Sequence, residues 1–344
     1  MIKRLIPLLL AMLLFTGCGA AEADREPVSR DIFAMDTYMT VTCCGKNADK
    51  ALDAAEAEIM RLDDLLSVGK ADSEISRLNE TGSITLSEDS RVMVDKSLEI
   101  YSGTDGAFDI TVYPLMVLWG FTSGDFRVPE AAELGAMLEK VGSDRLTYNS
   151  DTGELTLADG QGVDLGGIAK GYTSDRLMEI FREYELDYGV MSLGGNVQFY
   201  GRKADGSDWR CGIQDPFDAD SGEMMAVLET GDTAVITSGA YERYFTDESG
   251  NTYHHIIDPK TGYSANNGLV SVTIVSKSGM LADGLSTACY VMGLDRAVEY
   301  WRQSDKDFDM VLMTDSGEIY VTSPIADGLT TDYPVRVISE EGVN

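Results

Sequence analysis

Apolar side chains at Leu52, Ala55, Ile59, Leu62 and Leu66 recur at the three-to-four spacing of a helix that buries one face, while acids occupy the other, which predicts a helix over 48–66. A second helix is predicted over 87–101, with the Ser87 hydroxyl as its N-cap. Pro129 followed by EAAELGAMLEKVG places proline in a first turn and glycine at the end, the punctuation of a third helix. Elsewhere the period drops to two. MDTYMTVTCC, residues 35–44, reads as a strand, and LTYNSDTGELTLAD reads as a hairpin about Asp151-Thr152-Gly153. Short strands follow around 188–200, 209–214, 224–228, 234–237 and 269–275; then LADGLSTACYVMG and DRAVEYWRQ form a helical pair, and DMVLMTDSGEIYVT closes as a hairpin. Strands and helices do not alternate strictly, so the fold class is α+β, a mixed or antiparallel sheet with flanking helices in a single catalytic domain of one body or two lobes.

The first twenty residues depart from these patterns. Lys3 and Arg4 precede an apolar stretch from Leu5 to Phe15, and Thr16-Gly17 lead to Cys18, which marks residues 1–17 as a secretory signal too short to span a membrane. Thr-Gly-Cys resembles a bacterial lipobox, with Phe15 where leucine is usual, so Cys18 is expected to be lipidated and to anchor the chain to the outer side of the cell membrane. Residues 18–30 then read as a solvated tether and 31–340 as the folded domain. Lys+Arg 27 against Asp+Glu 58 gives a net charge of −31, which repels phosphate backbones and excludes nucleic-acid binding through a basic patch. Any phosphate ligand must be held locally. Cys43, Cys44, Cys211 and Cys289 have no metal-cluster or Cys-x-x-Cys spacing.

Local means of holding phosphate are present. In VDLGGIAKGYTSDRL a short strand is expected to end at Asp164, and Gly166-Gly167 then open a helix containing Lys170; exposed N–H groups, the helix dipole and the lysine make an anion site, or else this is a glycine turn beside a surface lysine. Ser192-Leu193-Gly194-Gly195-Asn196 is a second glycine turn. YHHIIDPKTG holds the only two histidines of the chain; on a strand they face opposite sides, so one of them serves a given site, and His255 beside the Asp-Pro turn suits a proton acceptor for a hydroxyl nucleophile, or lies on the surface. Asp283 and Thr287, at i and i+4 on one helix face, offer hard oxygens to a divalent cation whose shell substrate phosphates complete, unless Asp283 merely caps the helix. DGAFDITVYPLMVLWGF places Asp109 in an aromatic, β-prone context that lines a flat-ring pocket or fills a core, and SGAYERYF offers Arg243 to an anion.

In this order, Met35-Asp36-Thr37, DSEISRLN, DGAFDITVYPLMVLWGF, VDLGGIAKGY, SLGGN, SGAYERYF, HIIDPKTG and ADGLSTA resemble the FAD:protein FMN transferase family, ApbE. The resemblance implies Mg²⁺-dependent transfer of the FMN part of FAD, through a phosphoester bond, to a threonine or serine of an acceptor protein, with release of AMP. It implies that Asp283, Thr287 and the Gly167 carbonyl hold the metal. It also implies that Met35, Ala107, Phe108, Asp109, Asp164, Lys170 and Ile257 contact FAD, and that His255 deprotonates the acceptor hydroxyl. The implied acceptors are redox-pump subunits or secreted flavoproteins. Gly69 stands where many members have a tyrosine that packs on FAD, and the family's acceptor motif is absent, so modification of another protein is expected. Two other activities suit the same site: a metal-dependent FAD pyrophosphatase yielding FMN and AMP, and a non-catalytic FAD-binding lipoprotein.

Overall fold

A computed structural model describes residues 26–343. The expected signal segment 1–17, the expected lipidation site Cys18 and most of the expected tether lie outside the described residues.

The frame is a nine-stranded sheet of β1 (Val28–Ala34), β2 (Thr37–Cys44), β3 (Tyr188–Leu193), β4 (Asn196–Gly201), β5 (Ala234–Gly239), β6 (Leu269–Ser276), β7 (Phe308–Thr314), β8 (Ile319–Thr322) and β9 (Val335–Ile338). Its spatial order follows the chain order throughout, and every neighbouring pair is antiparallel except β8 and β9, which run parallel. Eight helices accompany it among the described residues: α1 (Ala48–Leu66), α2 (Glu74–Thr81), α3 (Glu88–Gly103), α4 (Tyr113–Trp119), α5 (Ala131–Leu138), α6 (Gly166–Glu183), α7 (Gly279–Met292) and α8 (Leu294–Gln303). The α+β class with a mixed sheet and flanking helices is therefore the observed one.

Side-chain alternation explains the layering. On β7, Met310 and Leu312 enter the main core with α3, α7 and α8, whereas Val311 and Met313 face Ile213, Met225 and Ala226 of a small three-stranded sheet on the other side. One face of the large sheet thus carries helices and the other carries a second sheet. A separate cluster of Leu115, Trp119, Phe121, Leu134 and Ile257 joins α4 and α5 to a two-stranded ribbon, Tyr244–Thr246 with Thr252–His254. Cys43, Cys44, Cys211 and Cys289 are all buried, and among the described residues none of them forms a disulfide.

Several boundaries differ from the sequence reading for identifiable reasons. Strand β1 begins at Val28, inside the expected tether, because VSRDIFA alternates exposed and inward positions as an edge strand whose polar half mimics a linker. Met35 and Asp36 are not strand residues; both have positive φ, 49° and 57°, and they form the two-residue turn between β1 and β2. Helix α5 is capped by Glu130 and Glu133 in a capping box, so Pro129 precedes the cap, and the helix stops at Leu138, before Gly142. Ser87 does cap α3, accepting the Ser90 N–H. Asp109 lies in no strand: it caps a single 3₁₀ turn, Ile110–Val112, that leads directly into α4, so the β-branched run there is overridden by packing around Trp119. No strand precedes Asp164 either; Val163 is held by the Asn79 side-chain amide, which donates to its carbonyl at 2.8 Å and accepts its N–H at 2.7 Å.

Candidate functional site

Two turns and two helices bring the expected site residues into one region. The turns β1–β2 and β3–β4 lie side by side: Gly194 N–H donates to the Tyr38 carbonyl at 3.2 Å, and a Cβ on Gly194 would lie 2.4 Å from Thr37 Oγ1. Gly194 and Gly195 both need positive φ, 59° and 90°, which explains two consecutive glycines at this corner. Met35, in its left-handed turn, is pinned by its own N–H on Asp63 Oδ1 at 3.0 Å, and Lys70 in turn holds Asp63 at 2.6 Å. Thr173 of α6 reaches the Met35 sulfur at 3.8 Å.

Helices α6 and α7 form the floor. Where they cross, a Cβ on Gly171 would lie 2.2 Å from the Gly279 carbonyl oxygen, and a Cβ on Gly279 would lie 2.7 Å from the Gly171 carbonyl oxygen, so backbone packs on backbone. The buried Asp283 carboxylate accepts the Gly171 N–H at 2.8 Å. One turn further along, Thr287 Oγ1 is 3.3 Å from Ser238 Oγ at the end of β5, and that serine also bonds Ser286 at 2.8 Å. Gly167, on the first turn of α6, faces the same place: a Cβ there would lie 3.0 Å from the Phe108 ring and 4.0 Å from Thr287 Oγ1. Gly167, distant in sequence from Asp283 and Thr287, is therefore their neighbour in space.

The donor set fits a hard cation. One carboxylate, one hydroxyl and one carbonyl are oxygen ligands of the kind Mg²⁺ accepts alongside phosphate and water. Among the described residues no group of three or more His, Cys, Asp or Glu is arranged to hold a metal, so an ion here would rely on ligand oxygens for the rest of its shell. Burial pushes the Asp283 carboxyl above the ordinary carboxylate range against the pull of Lys170 and Asn196, so a cation would relieve an existing cost. Asp164 accepts the Gly166 N–H at 2.8 Å at the start of α6; its carboxyl too is raised by burial, with Arg243 opposing.

The base candidate comes from the ribbon. His255 follows its second strand, and both its backbone N–H and its Nδ1 meet the Arg243 carbonyl, at 3.0 and 3.2 Å. With Nδ1–H donating there, Nε2 is the free acceptor. Burial, then the positive charges of Arg243 and Lys170, drive its pKa down to about 3, which keeps the imidazole neutral. His254 points away: its Nε2 meets the Ala265 carbonyl at 3.0 Å and its ring packs edge-on against Tyr290. The two histidines thus divide between core and cleft, as their adjacency requires.

Not every expected contact residue presents its side chain to the cleft. The Asp109 carboxylate is spent internally on the Thr111 N–H and hydroxyl and on the Ser143 N–H and hydroxyl. Ile257 is packed against Trp119, and Ala107 is part of the main core. What these three can offer a ligand is placement of the loops that bear them. Conversely, Glu242 was not singled out by sequence. It lies over the glycine corner, where a Cβ on Gly195 would come 3.4 Å from Glu242 Oε1, and desolvation raises its carboxyl above the ordinary value while Lys170 opposes. The adjacent Arg243 in SGAYERYF was the available signal.

Fold and site together describe a class: an α+β protein in which hard oxygen donors, two cationic side chains whose charges act on them, and a neutral histidine lie in one region. The ApbE family model matches residues 35–312, and the chain belongs to that family. It is 33% identical over 318 residues to the FAD:protein FMN transferase of Vibrio cholerae, covering 90% of this chain and 93% of that one. It is 30% identical over 310 residues to the enzyme of the same name from Treponema pallidum, covering 83% and 84%. Among solved structures, an ApbE protein from Thermotoga maritima superposes with a TM-score of 0.82 at 29% identity, covering 88% of this chain and 99% of that one. The flavin transferase ApbE from Vibrio cholerae gives 0.75 at 28% identity, covering 90% and 98%.

Proposed function

We propose that this protein transfers FMN from FAD to a hydroxyl of an acceptor protein with the help of Mg²⁺. The observation that carries the reading is the Asp283–Thr287–Gly167 oxygen set together with neutral His255, with Lys170 near enough to both for its charge to act on His255 and on Asp283. Asp283, Thr287 and the Gly167 carbonyl would hold Mg²⁺, whose chemistry here is to neutralise the diphosphate and favour departure of AMP. Lys170 and Arg243 bind the diphosphate electrostatically, which lets a chain of net charge −31 accept an anion. His255 Nε2 takes the proton of the acceptor threonine or serine as its oxygen bonds to the FMN phosphorus and the P–O bond to AMP breaks; the proton stays on the imidazole until it passes to solvent. The anionic diphosphate offsets Arg243 and Lys170, so His255 becomes a stronger base when substrate is bound. Met35 and Phe108, set by the turn and by Gly167, supply apolar surface for the flavin.

The acceptor belongs to the class of redox flavoproteins outside the cytoplasm, and lipidation of Cys18 would hold the enzyme beside them. The nine residues between Cys18 and Val28 make ten Cα–Cα steps and reach at most about 36 Å when extended, enough to keep the domain at the membrane surface. Replacing Cys18 with alanine should move the protein from the membrane fraction to the soluble fraction.

AMP release tests the reaction itself. With FAD and Mg²⁺, addition of a fragment bearing the acceptor threonine should raise the rate of AMP formation, with flavin appearing on the fragment. AMP formation that ignores the fragment points to an FAD pyrophosphatase, and no AMP in either case leaves a binding protein.

A further inference from the structure

We infer that Asp175 of α6 is a positioning residue for the metal shelf, locking α7 to α6 so that Asp283 and Thr287 stay in register with Gly167. This rests on the metal-dependent reading above. Helix α7 has no acidic residue in its own first turn, although its N–H groups and dipole call for negative charge there. The charge is supplied by α6. Asp175 Oδ1 accepts the Gly279 N–H at 2.7 Å, and Oδ2 accepts the Met280 N–H at 3.0 Å and the Ser278 hydroxyl at 2.9 Å. Ser278 meanwhile caps the Leu281 N–H at 3.2 Å, and Gln198 of β4 donates to Asp175 Oδ1 at 3.2 Å. One carboxylate thus ties α6, the start of α7 and the sheet together.

The need for such a lock follows from the crossing itself. Glycine on glycine allows the closest approach of the helices, but it removes the interlocking side chains that usually resist sliding of one helix along another. Asp283 lies one turn beyond Gly279, and Gly167 two turns before Asp175, so a small slip along α7 would open the oxygen set without unfolding either helix. Asp175 resists that slip with charge-assisted bonds, and in this role it touches neither metal nor FAD.

The test uses the soluble mature chain with FAD and no acceptor, titrated with Mn²⁺ and followed by the EPR signal of free Mn²⁺. Asp175→Asn keeps the shape but sets an amide N–H₂ or a lost charge against the α7 donors; it should weaken Mn²⁺ binding about tenfold, the scale seen for outer-shell partners of metal sites. In AMP-release assays the metal concentration for half-maximal rate should rise by the same factor, while the rate at saturating metal is largely kept. Ser278→Ala, which removes one of the three α7 donors, should give a smaller loss in the same direction, and it carries the test if Asp175→Asn fails to fold. Adding Ser278→Asp to Asp175→Asn restores a cap from within α7 but no link to α6; melting temperature should recover while Mn²⁺ affinity stays low. Mn²⁺ affinity unchanged in both single variants, or recovered with the melting temperature, overturns the inference. A wild-type protein that neither binds Mn²⁺ nor releases AMP overturns the metal-dependent reading instead.

Discussion

The α6–α7 crossing and the 244–254 ribbon both bring side chains to the cleft, yet they are held in opposite ways. The crossing is buried at its centre: Asp283 is 5% exposed, the helices touch through backbone, and hydrogen bonds to Asp283 and Asp175 fix their register. The ribbon has two strands of three residues, leaves Tyr244 52% exposed, and stands outside the large sheet. It is anchored instead by Phe245 and Tyr253 around Trp119, whose indole N–H donates to the Gly262 carbonyl at 2.8 Å. A cation and its phosphate ligand demand oxygens fixed within tenths of an ångström, so that floor is over-determined. A base must meet an incoming protein hydroxyl, and an arm packed on its own aromatic cluster can carry it without being part of the main core.

That contrast sets the order of expected effects. Gly171→Ala should be the most damaging, because its methyl would overlap the Gly279 carbonyl and the Asp283 side chain; a stability loss of at least about 3 kcal/mol, the upper end of ordinary overpacking, is expected in urea melts. A wild-type melt in that variant would mean that the crossing is looser than described. Asp283→Ala should abolish flavin transfer, and leaving the Gly171 N–H without its partner should also cost about 1–3 kcal/mol of stability. On the arm the two effects should separate. Above pH 6.5, His255→Ala is expected to melt like wild type and to retain FAD, while transfer falls about 10²–10⁴-fold, the usual worth of a general base. A large stability loss there would erase the distinction between floor and arm.

pH gives the finest comparison. The raised Asp283 and Asp164 carboxyls mean that the folded chain holds protons the unfolded chain has released, so just above the ordinary carboxylate value of 3.8 their part of the stability falls as pH rises. His255 has the opposite sign: with a folded value of about 3 against an ordinary 6.5, its part is complete above 6.5 and is lost as pH falls toward 3. Subtracting the melting curves of His255→Ala from those of wild type across that window should isolate the His255 slope. In catalysis, the acid limb of kcat should lie at higher pH than that of kcat/KM, because bound diphosphate offsets the cations that depress His255 in the free enzyme.

How far sequence alone reached follows the same division. Helix α1 was legible to the residue, since one face carries its buried Leu52, Ala55, Ile59, Leu62 and Leu66, and Asp283 with Thr287 were legible as an i, i+4 pair on one helix. The α4 segment misled because its β-branched and aromatic residues serve a helix packed on Trp119, and β1 was hidden by its polar, solvent-facing half. The tertiary contacts were silent. Asp175 caps a helix 104 residues away, and Asp109 turns inward to bonds with Ser143, and neither fact leaves a trace in local spacing.

In the proposed reaction His255 acts on an acceptor hydroxyl while the floor holds the donor. Intact mass of a threonine-bearing acceptor fragment, after incubation with FAD, Mg²⁺ and either wild-type protein or His255→Ala, tests it most directly. The account predicts a gain of one FMN with wild type and none with His255→Ala, although both bind FAD. An equal gain with both proteins, or no gain with wild type on a fragment that carries a competent threonine, would contradict it.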